Sequence, residues 1–150
     1  MGSIAPGFEQ RLRYRNKKSG TQPFRNEERY FMRLNHLMLT VRDLAQSRDW
    51  YLSKLGLKVE FEVPDIKFAA LEDDWGFGLL LQEGQVRGDP AVNIKIYFEV
   101  ADVDQLHHRL EQLDVHFDHP PQKNVWGYGP QLTDPNGYVL RFFDHRSVTK

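Results

Sequence analysis

The sequence contains no cysteine, and it has no apolar run long enough to cross a membrane. The missing cysteine excludes disulfides, zinc–thiolate sites and cysteine nucleophiles. The N-terminus lacks the apolar core of a secretory signal, so we expect a soluble, cytoplasmic protein. Of the 150 residues, 40% are hydrophobic and 27% are charged. That balance is typical of one compact domain or of two small modules packed together.

Charge is distributed unevenly along the chain. Residues 1–31 carry seven Lys and Arg against three Glu, a balance of +4, and the net charge of −1 therefore leaves −5 for residues 32–150. The body of the chain has no general basic field for nucleic acid, and we expect neither nucleic acid nor membrane as a partner. Low apolar periodicity with several Gly, Pro and Ser predicts that residues 1–31 are a basic, flexible extension. A basic arm that contacts phosphates is the alternative.

An eight-residue pattern occurs twice, as LTVRDLAQ at 39–46 and as FEVADVDQ at 98–105. In both copies an Asp is followed three residues later by a Gln, a pairing typical of a helix N-terminus. The residues before each Asp alternate between apolar and polar, as in NIKIYFEV at 93–100, which predicts a half-buried strand. Each copy therefore predicts a strand that runs into a helix.

Three short strands are predicted after each helix, and the last of them follows a turn, DDWG in the first copy and DPNG in the second. The fold class is therefore α+β, with two βαβββ modules. The strands after the helices are predicted at 57–63, 66–72, 77–83, 115–119, 128–134 and 138–144. The predicted boundaries are 32–83 for the first module, 84–91 for the linker, 92–146 for the second module and 147–150 for a tail.

Three segments carry a resemblance to a known family. They are LNHLMLTVRDLAQSRDWYLSKLGLKV at 34–59, IYFEVADVDQL at 96–106 and WGYGPQLTDPNGYVLRFFD at 126–144. The chain resembles the vicinal oxygen chelate superfamily, which includes glyoxalases, extradiol dioxygenases, fosfomycin-resistance enzymes and bleomycin-resistance proteins. The resemblance implies that each module curls a mixed sheet into a half-open cup with a helix on its outer face. It also implies a homodimer, with modules side by side in one chain or exchanged between chains.

The resemblance implies four positions at which the metal-binding members place ligands, on the first and last strands of each module. In this sequence they are His36, Leu80, Lys95 and Arg141. Divalent metals take neutral imidazole and carboxylate ligands, whereas Lys and Arg are cationic at neutral pH. A dication about 5 Å from one cation would be repelled by roughly 6 to 7 kcal/mol at an effective dielectric constant near 20. We therefore expect no metal and no cofactor.

The same alignment implies that Lys95, Arg141 and His36 line one inward-facing cup. Two cations suit a small anionic or electron-rich ligand, which Arg141 would bind in two places. Aromatic side chains suit the wall of such a pocket, and Trp126 and Tyr128 lie where bleomycin-resistance proteins have a similar Trp-Gly step near their cleft. The other candidate wall residues are Trp75, Phe77, Tyr97 and Phe143. The structural alternative is that Glu99, Glu83 or Glu62 neutralises the two cations.

The expected function is metal-independent binding of a small molecule, similar to that of glyoxalase and bleomycin-resistance proteins. The cationic cup argues against bleomycin itself, which is a cation. The first alternative is a lyase or isomerase in which His36 is the general base and Lys95 and Arg141 stabilise an enolate. The second is a metal-dependent glyoxalase-type lyase or extradiol-type dioxygenase, which requires a different alignment. An interaction module with an apolar-filled cup is the third.

Overall fold

The computed structural model describes residues 34–144, which form two four-stranded mixed sheets. The predicted extension at 1–31 and the predicted tail at 147–150 lie outside these residues. None of the helices in the described range is long and apolar enough to span a membrane. In each sheet the first strand is parallel to the last strand of its module, and the remaining pairs are antiparallel.

The first module contains four strands in the order β1-β4-β3-β2 and one long helix. Its elements are β1 (His36–Val41), α1 (Leu44–Leu55), β2 (Lys58–Val63), β3 (Phe68–Glu72) and β4 (Gly78–Glu83), with a 3₁₀ turn at Pro64–Ile66. The predicted strands at 57–63, 66–72 and 77–83 differ from these by one or two residues at their ends. The predicted third strand begins at Ile66, but Ile66 is part of the 3₁₀ turn, so β3 begins at Phe68.

The second module repeats the arrangement with the strand order β5-β8-β7-β6. A short linker helix, α2 (Pro90–Asn93), precedes β5 (Lys95–Glu99), α3 (Val103–Gln112), β6 (Phe117–Asn124), β7 (Gly127–Thr133) and β8 (Val139–Phe143). The observed β6 runs five residues beyond the end of the predicted strand. Pro120 and Pro121 lie where the β6–β7 register is irregular, and they therefore do not end the strand. Two βαβββ modules and the α+β class are confirmed.

Both long helices begin where the repeated Asp predicts. The Asp43 side chain accepts from the amide of Gln46 at 2.9 Å, and the Asp102 side chain accepts from the amides of Asp104 and Gln105. A second carboxylate, at or just after the end of the last strand of each module, accepts the first helical amide. Glu83 accepts from Leu44 N at 3.0 Å, and Asp144 accepts from Val103 N at 3.0 Å. In both modules, therefore, a carboxylate at or just after the end of the last strand binds the first amide of the helix.

The core lies on the helix-bearing face of both sheets. Alternate residues of β1 and β5 point into it, and the intervening residues point to the opposite face. The buried members of this core are Leu39, Val41, Tyr51, Leu71, Leu79, Leu81, Leu110, Val115, Leu132, Tyr138, Leu140 and Phe142. Because this single cluster takes residues from both modules, the modules are packed together through their helix-bearing faces.

The DPNG turn of the second module docks on the first module. Asp134 accepts a 2.6 Å hydrogen bond from the hydroxyl of Tyr51, and Asn136 donates to the hydroxyl of Ser47 at 2.9 Å. Tyr51 is 0% exposed and Asp134 is 4% exposed. The pKa of Tyr51 is raised well above its ordinary value, mainly by burial and to a smaller extent by the negative charge of Asp134. A segment that the sequence predicts as a turn is therefore also the buried polar contact between modules.

Candidate functional site

The candidate site lies on the face of the second sheet that points away from the core, which we call the open face. Ile96 and Phe98 of β5 pack against the core, so Tyr97 between them points to the opposite side. The sheet register aligns Tyr97 with Arg141 of β8, and Arg141 with Gln131 of β7. Three strands therefore contribute one row of polar side chains, Tyr97–Arg141–Gln131, to the open face.

Arg141 is held in place by neutral groups. Its Nε donates to Oε1 of Gln131 at 2.9 Å, and its Nη1 donates to the hydroxyl of Tyr97 at 2.6 Å. The guanidinium carbon lies 5.5 Å from the centre of the Tyr97 ring and 5.3 Å from that of Trp126, distances typical of cation–π contacts. The two rings meet edge to face with their centres 5.8 Å apart. We call Arg141, Tyr97, Trp126 and Gln131 the Arg141 site.

Asp118 of β6 sets the direction in which the Gln131 amide points. Nε2 of Gln131 donates to Oδ2 of Asp118 at 3.0 Å, and the hydroxyl of Thr133 donates to the same carboxylate. Because the amide nitrogen must face the carboxylate, the amide oxygen faces Arg141. Two of the five guanidinium N–H groups of Arg141 donate to Gln131 and Tyr97, and both of these acceptors are uncharged. The positive charge of Arg141 is therefore fixed in position without being neutralised.

Of the remaining predicted ligand residues, Lys95 and Phe143 lie on the open face. Lys95 precedes Tyr97 by two residues on β5, but its ammonium donates to the backbone carbonyl of Ala91 in the linker helix, at 3.1 Å. Phe143 follows Arg141 by two residues on β8 and is half-buried. Neither residue is among the hydrogen-bond partners of Arg141. The structure therefore joins Arg141 with Tyr97 and Trp126, and leaves the ammonium of Lys95 directed at the linker.

Tyr128 and His36 lie in other surroundings. The hydroxyl of Tyr128 donates to the carboxylate of Asp104, in the first turn of α3, at 2.9 Å. Tyr128 therefore packs toward the helix and is not part of the Arg141 site. His36 is the first residue of β1 in the other sheet, beside Gly78 of β4. That His36 shares one cavity with Lys95 and Arg141 stays a prediction.

A family model matches residues 33–142, which cover both modules. The model describes the glyoxalase/bleomycin resistance protein/dioxygenase superfamily. The chain belongs to this superfamily. No match was found among curated proteins.

Several solved structures share the fold. A possible glyoxalase from Bacillus cereus is 23% identical with a TM-score of 0.63, and the match covers 75% of this chain and 99% of that one. A lactoylglutathione lyase from Agrobacterium tumefaciens is 20% identical with a TM-score of 0.62, covering 79% and 97%. A glyoxalase/dioxygenase from Nostoc punctiforme is 19% identical with a TM-score of 0.62, covering 75% and 90%. At these identities the likeness concerns the fold alone.

The four positions predicted to correspond to superfamily metal ligands carry side chains that do not suit a divalent cation. Leu80 has no donor atom, is 7% exposed and belongs to an apolar cluster with Phe61, Phe68 and Ala70. Arg141 is a cation held by Gln131 and Tyr97, and Lys95 is a second cation. Within residues 34–144, no group of three or more His, Asp or Glu side chains is arranged to hold a metal ion. The donor set of this chain therefore does not fit the metal that the fold suggests.

Two of the glutamates expected to neutralise the cations have other partners. The observed ion pairs are Lys67 with Glu83 at 2.9 Å and Arg48 with Glu62 at 2.8 Å. The prediction that Glu83 or Glu62 neutralises Lys95 or Arg141 is therefore wrong. Across the part of the chain that the structure describes, neither cation is within ion-pair distance of a carboxylate.

Sequence reasoning found Arg141 and two of its partners, but it missed Gln131 and Asp118. Gln131 lies in YGPQLTD, one residue from an apolar position on either side, and nothing in that pattern sets it apart from any solvent-facing strand residue. Its role follows from the β7–β8 register, which pairs it with Arg141. The alternation of β7 is the one available signal, because it places Gln131 and Tyr128 on opposite faces once the strand is recognised.

Proposed function

We propose that this superfamily member acts without a metal and binds a small anionic or electron-rich molecule on the open face, with Arg141 as its anchor. The observation that carries the proposal is the state of Arg141, a guanidinium held by a Gln amide and a Tyr hydroxyl and not by a carboxylate. A buried or half-buried arginine that serves only the fold is usually paired with a carboxylate. Here the charge remains available to a ligand.

The chemistry of the site supports an anion more than any other ligand. Three guanidinium N–H groups remain after the bonds to Gln131 and Tyr97, and such groups bind carboxylate or phosphate oxygens in pairs. Trp126 and Tyr97 add apolar surface beside the charge, which is the usual composition of a small-molecule site. A cationic drug of the kind that bleomycin-resistance proteins bind would be repelled by Arg141.

Support for metal independence comes from the residues at the four ligand positions, of which one is a leucine and two are cations. Turnover with His36 as a general base would place the protein among the lyases or isomerases. No hydrogen bond or ring contact of Arg141 involves His36, so the binding role is the better supported one. A homodimer and a cytoplasmic location complete the proposal and await measurement.

The test is isothermal titration with sodium phosphate, citrate and benzoate, using wild type, Arg141→Gln and Arg109→Gln. Arg109 is an exposed arginine of α3, so the control variant makes the same change in charge away from the open face. We expect at least one anion to bind wild type and Arg109→Gln with equal affinity, and Arg141→Gln at least ten-fold more weakly. Equal affinity in all three proteins, or no binding of any anion, would overturn the proposal.

A further inference from the structure

Equivalent rows of the two sheets differ sharply in chemistry. In the second module the row across β5, β8 and β7 is Tyr97–Arg141–Gln131, and in the first module the row across β1, β4 and β3 is Met38–Leu80–Ala70. Leu80 occupies the place that corresponds to Arg141. The row of the first module adjoins an apolar cluster that includes Phe61 and Phe68. At equivalent positions of this row, the second module thus has a cation and the first module has an apolar side chain.

From the single guanidinium and the two rings that contact it, we propose that the ligand of the Arg141 site is a hydrophobic monocarboxylate, a molecule with one carboxylate and a flat apolar body next to it. This inference depends on the function proposed above, and narrows it to one chemical class. The number of charges follows from the number of anchors. Arg141 is the one cation of the Arg141 site, and the ammonium of Lys95 on the same face is directed at the carbonyl of Ala91. A dicarboxylate or a phosphate dianion would leave charge without a partner.

The apolar body follows from the rings beside the guanidinium. Tyr97 is 46% exposed and Trp126 is half-buried, and both contact Arg141 directly. A carboxylate that accepts from the free guanidinium N–H groups therefore has aromatic surface within a few ångströms of its first carbon atoms. Phe143 lies on the same face two residues further along β8. A flat apolar group would cover these rings, whereas a strongly hydrated group would gain nothing from them.

Guanidinium N–H groups bind carboxylate and phosphate oxygens alike in pairs, so the carboxylate is favoured by its single charge and not by the geometry of the donors. Gln131 and Tyr97 fix the guanidinium plane by binding Nε and Nη1. What remains are the two N–H groups of Nη2 and one N–H of Nη1, three donors in the guanidinium plane. Such donors can bind the oxygens of a carboxylate.

The experiment compares benzoate and cyclohexanecarboxylate with acetate, benzamide, inorganic phosphate and citrate, by isothermal titration of the full chain. We expect benzoate to bind at least ten-fold more tightly than acetate, which lacks the apolar body, and than benzamide, which lacks the charge. Arg141→Gln should weaken benzoate at least ten-fold, and Arg109→Gln should leave it unchanged. Trp126→Leu, checked for folding by circular dichroism, should weaken benzoate at least three-fold more than it weakens acetate.

The contrary outcomes separate this inference from the broader proposal. If phosphate or citrate binds more tightly than benzoate and Arg141→Gln abolishes that binding, the hydrophobic monocarboxylate is wrong and the anion site remains. If acetate and benzoate bind equally, the contribution of the rings is refuted. If no anion depends on Arg141, both the inference and the proposed function fail.

Discussion

Replacing Tyr51 by phenylalanine tests the buried contact that joins the two modules. The substitution keeps the ring, which is 0% exposed, and removes only the hydroxyl that donates to Asp134 at 2.6 Å. A hydrogen bond to a charged acceptor contributes about 1.5 to 3 kcal/mol to stability. Asp134 still accepts hydrogen bonds from the backbone amides of Asn136 and Tyr138, so its carboxylate keeps hydrogen-bond donors in the variant. We therefore expect the free energy of unfolding to fall by roughly 2 kcal/mol.

The assay is urea denaturation of wild type and Tyr51→Phe, followed by circular dichroism. The matched control is Tyr97→Phe, which removes a hydroxyl bonded to Arg141 on the half-exposed open face and should cost about 0.5 kcal/mol or less. A thermal melt should show Tyr51→Phe unfolding several degrees lower, at about 2 to 4 °C per kcal/mol for a chain of this size. A loss below about 0.5 kcal/mol, equal to that of the control, would refute the argument that the inter-module contact is a buried charged hydrogen bond.

The remaining predictions concern pH, backbone packing and metals. The pKa of Tyr51 is raised in the folded state, so the contribution of its neutral hydroxyl to the free energy of unfolding should be fully present below pH 10 and be lost as the pH rises further. In alkaline denaturation curves, Tyr51→Phe should therefore lose less stability with rising pH than wild type. Gly129→Ala should cost roughly 3 kcal/mol or more in urea melts, since its Cβ would lie 1.7 Å from the carbonyl oxygen of Phe142. Gly56→Ala, which meets open space at a φ of +72°, should cost only about 1 to 2 kcal/mol, and equal losses would contradict the packing argument. After exposure to Ni, Zn, Mn or Fe(II), elemental analysis should find well under one equivalent per chain, and one equivalent that His36→Ala removes would contradict the donor analysis.

The features that sequence reasoning predicts well are local ones. The starts of both long helices follow from Asp43 and Asp102, because an N-cap bonds to amides only two or three residues away. The strands follow from alternation, which needs no knowledge of their partners. The position of Arg141 next to Tyr97 can also be predicted in part from the sequence, because the repeat equates β1 with β5 and thereby indicates which strand is first in each module.

The features that it does not predict depend on register and on contacts far apart in the sequence. The pairing of Gln131 with Arg141 is set by how β7 aligns with β8, and a shift of one residue would turn Gln131 to the other face. The contact of Tyr128 with Asp104 likewise depends on how α3 crosses the sheet. Tyr51 and Asp134 are 83 residues apart, so neither the DPNG turn nor the helix pattern predicts their hydrogen bond.

We propose that the charge of Arg141 is held in place and is open to an anion. The most direct measurement is the ¹⁵N spectrum of arginine side chains in labelled protein, with the Arg141 Nε–H signal assigned by its loss in Arg141→Gln. The hydrogen bond to Gln131 should protect this proton from exchange and make the signal observable. Addition of benzoate should shift the Arg141 signal saturably and leave the Arg109 signal unmoved. A signal of Arg141 that does not respond to benzoate, acetate, phosphate or citrate would show that its charge is not open to an anion.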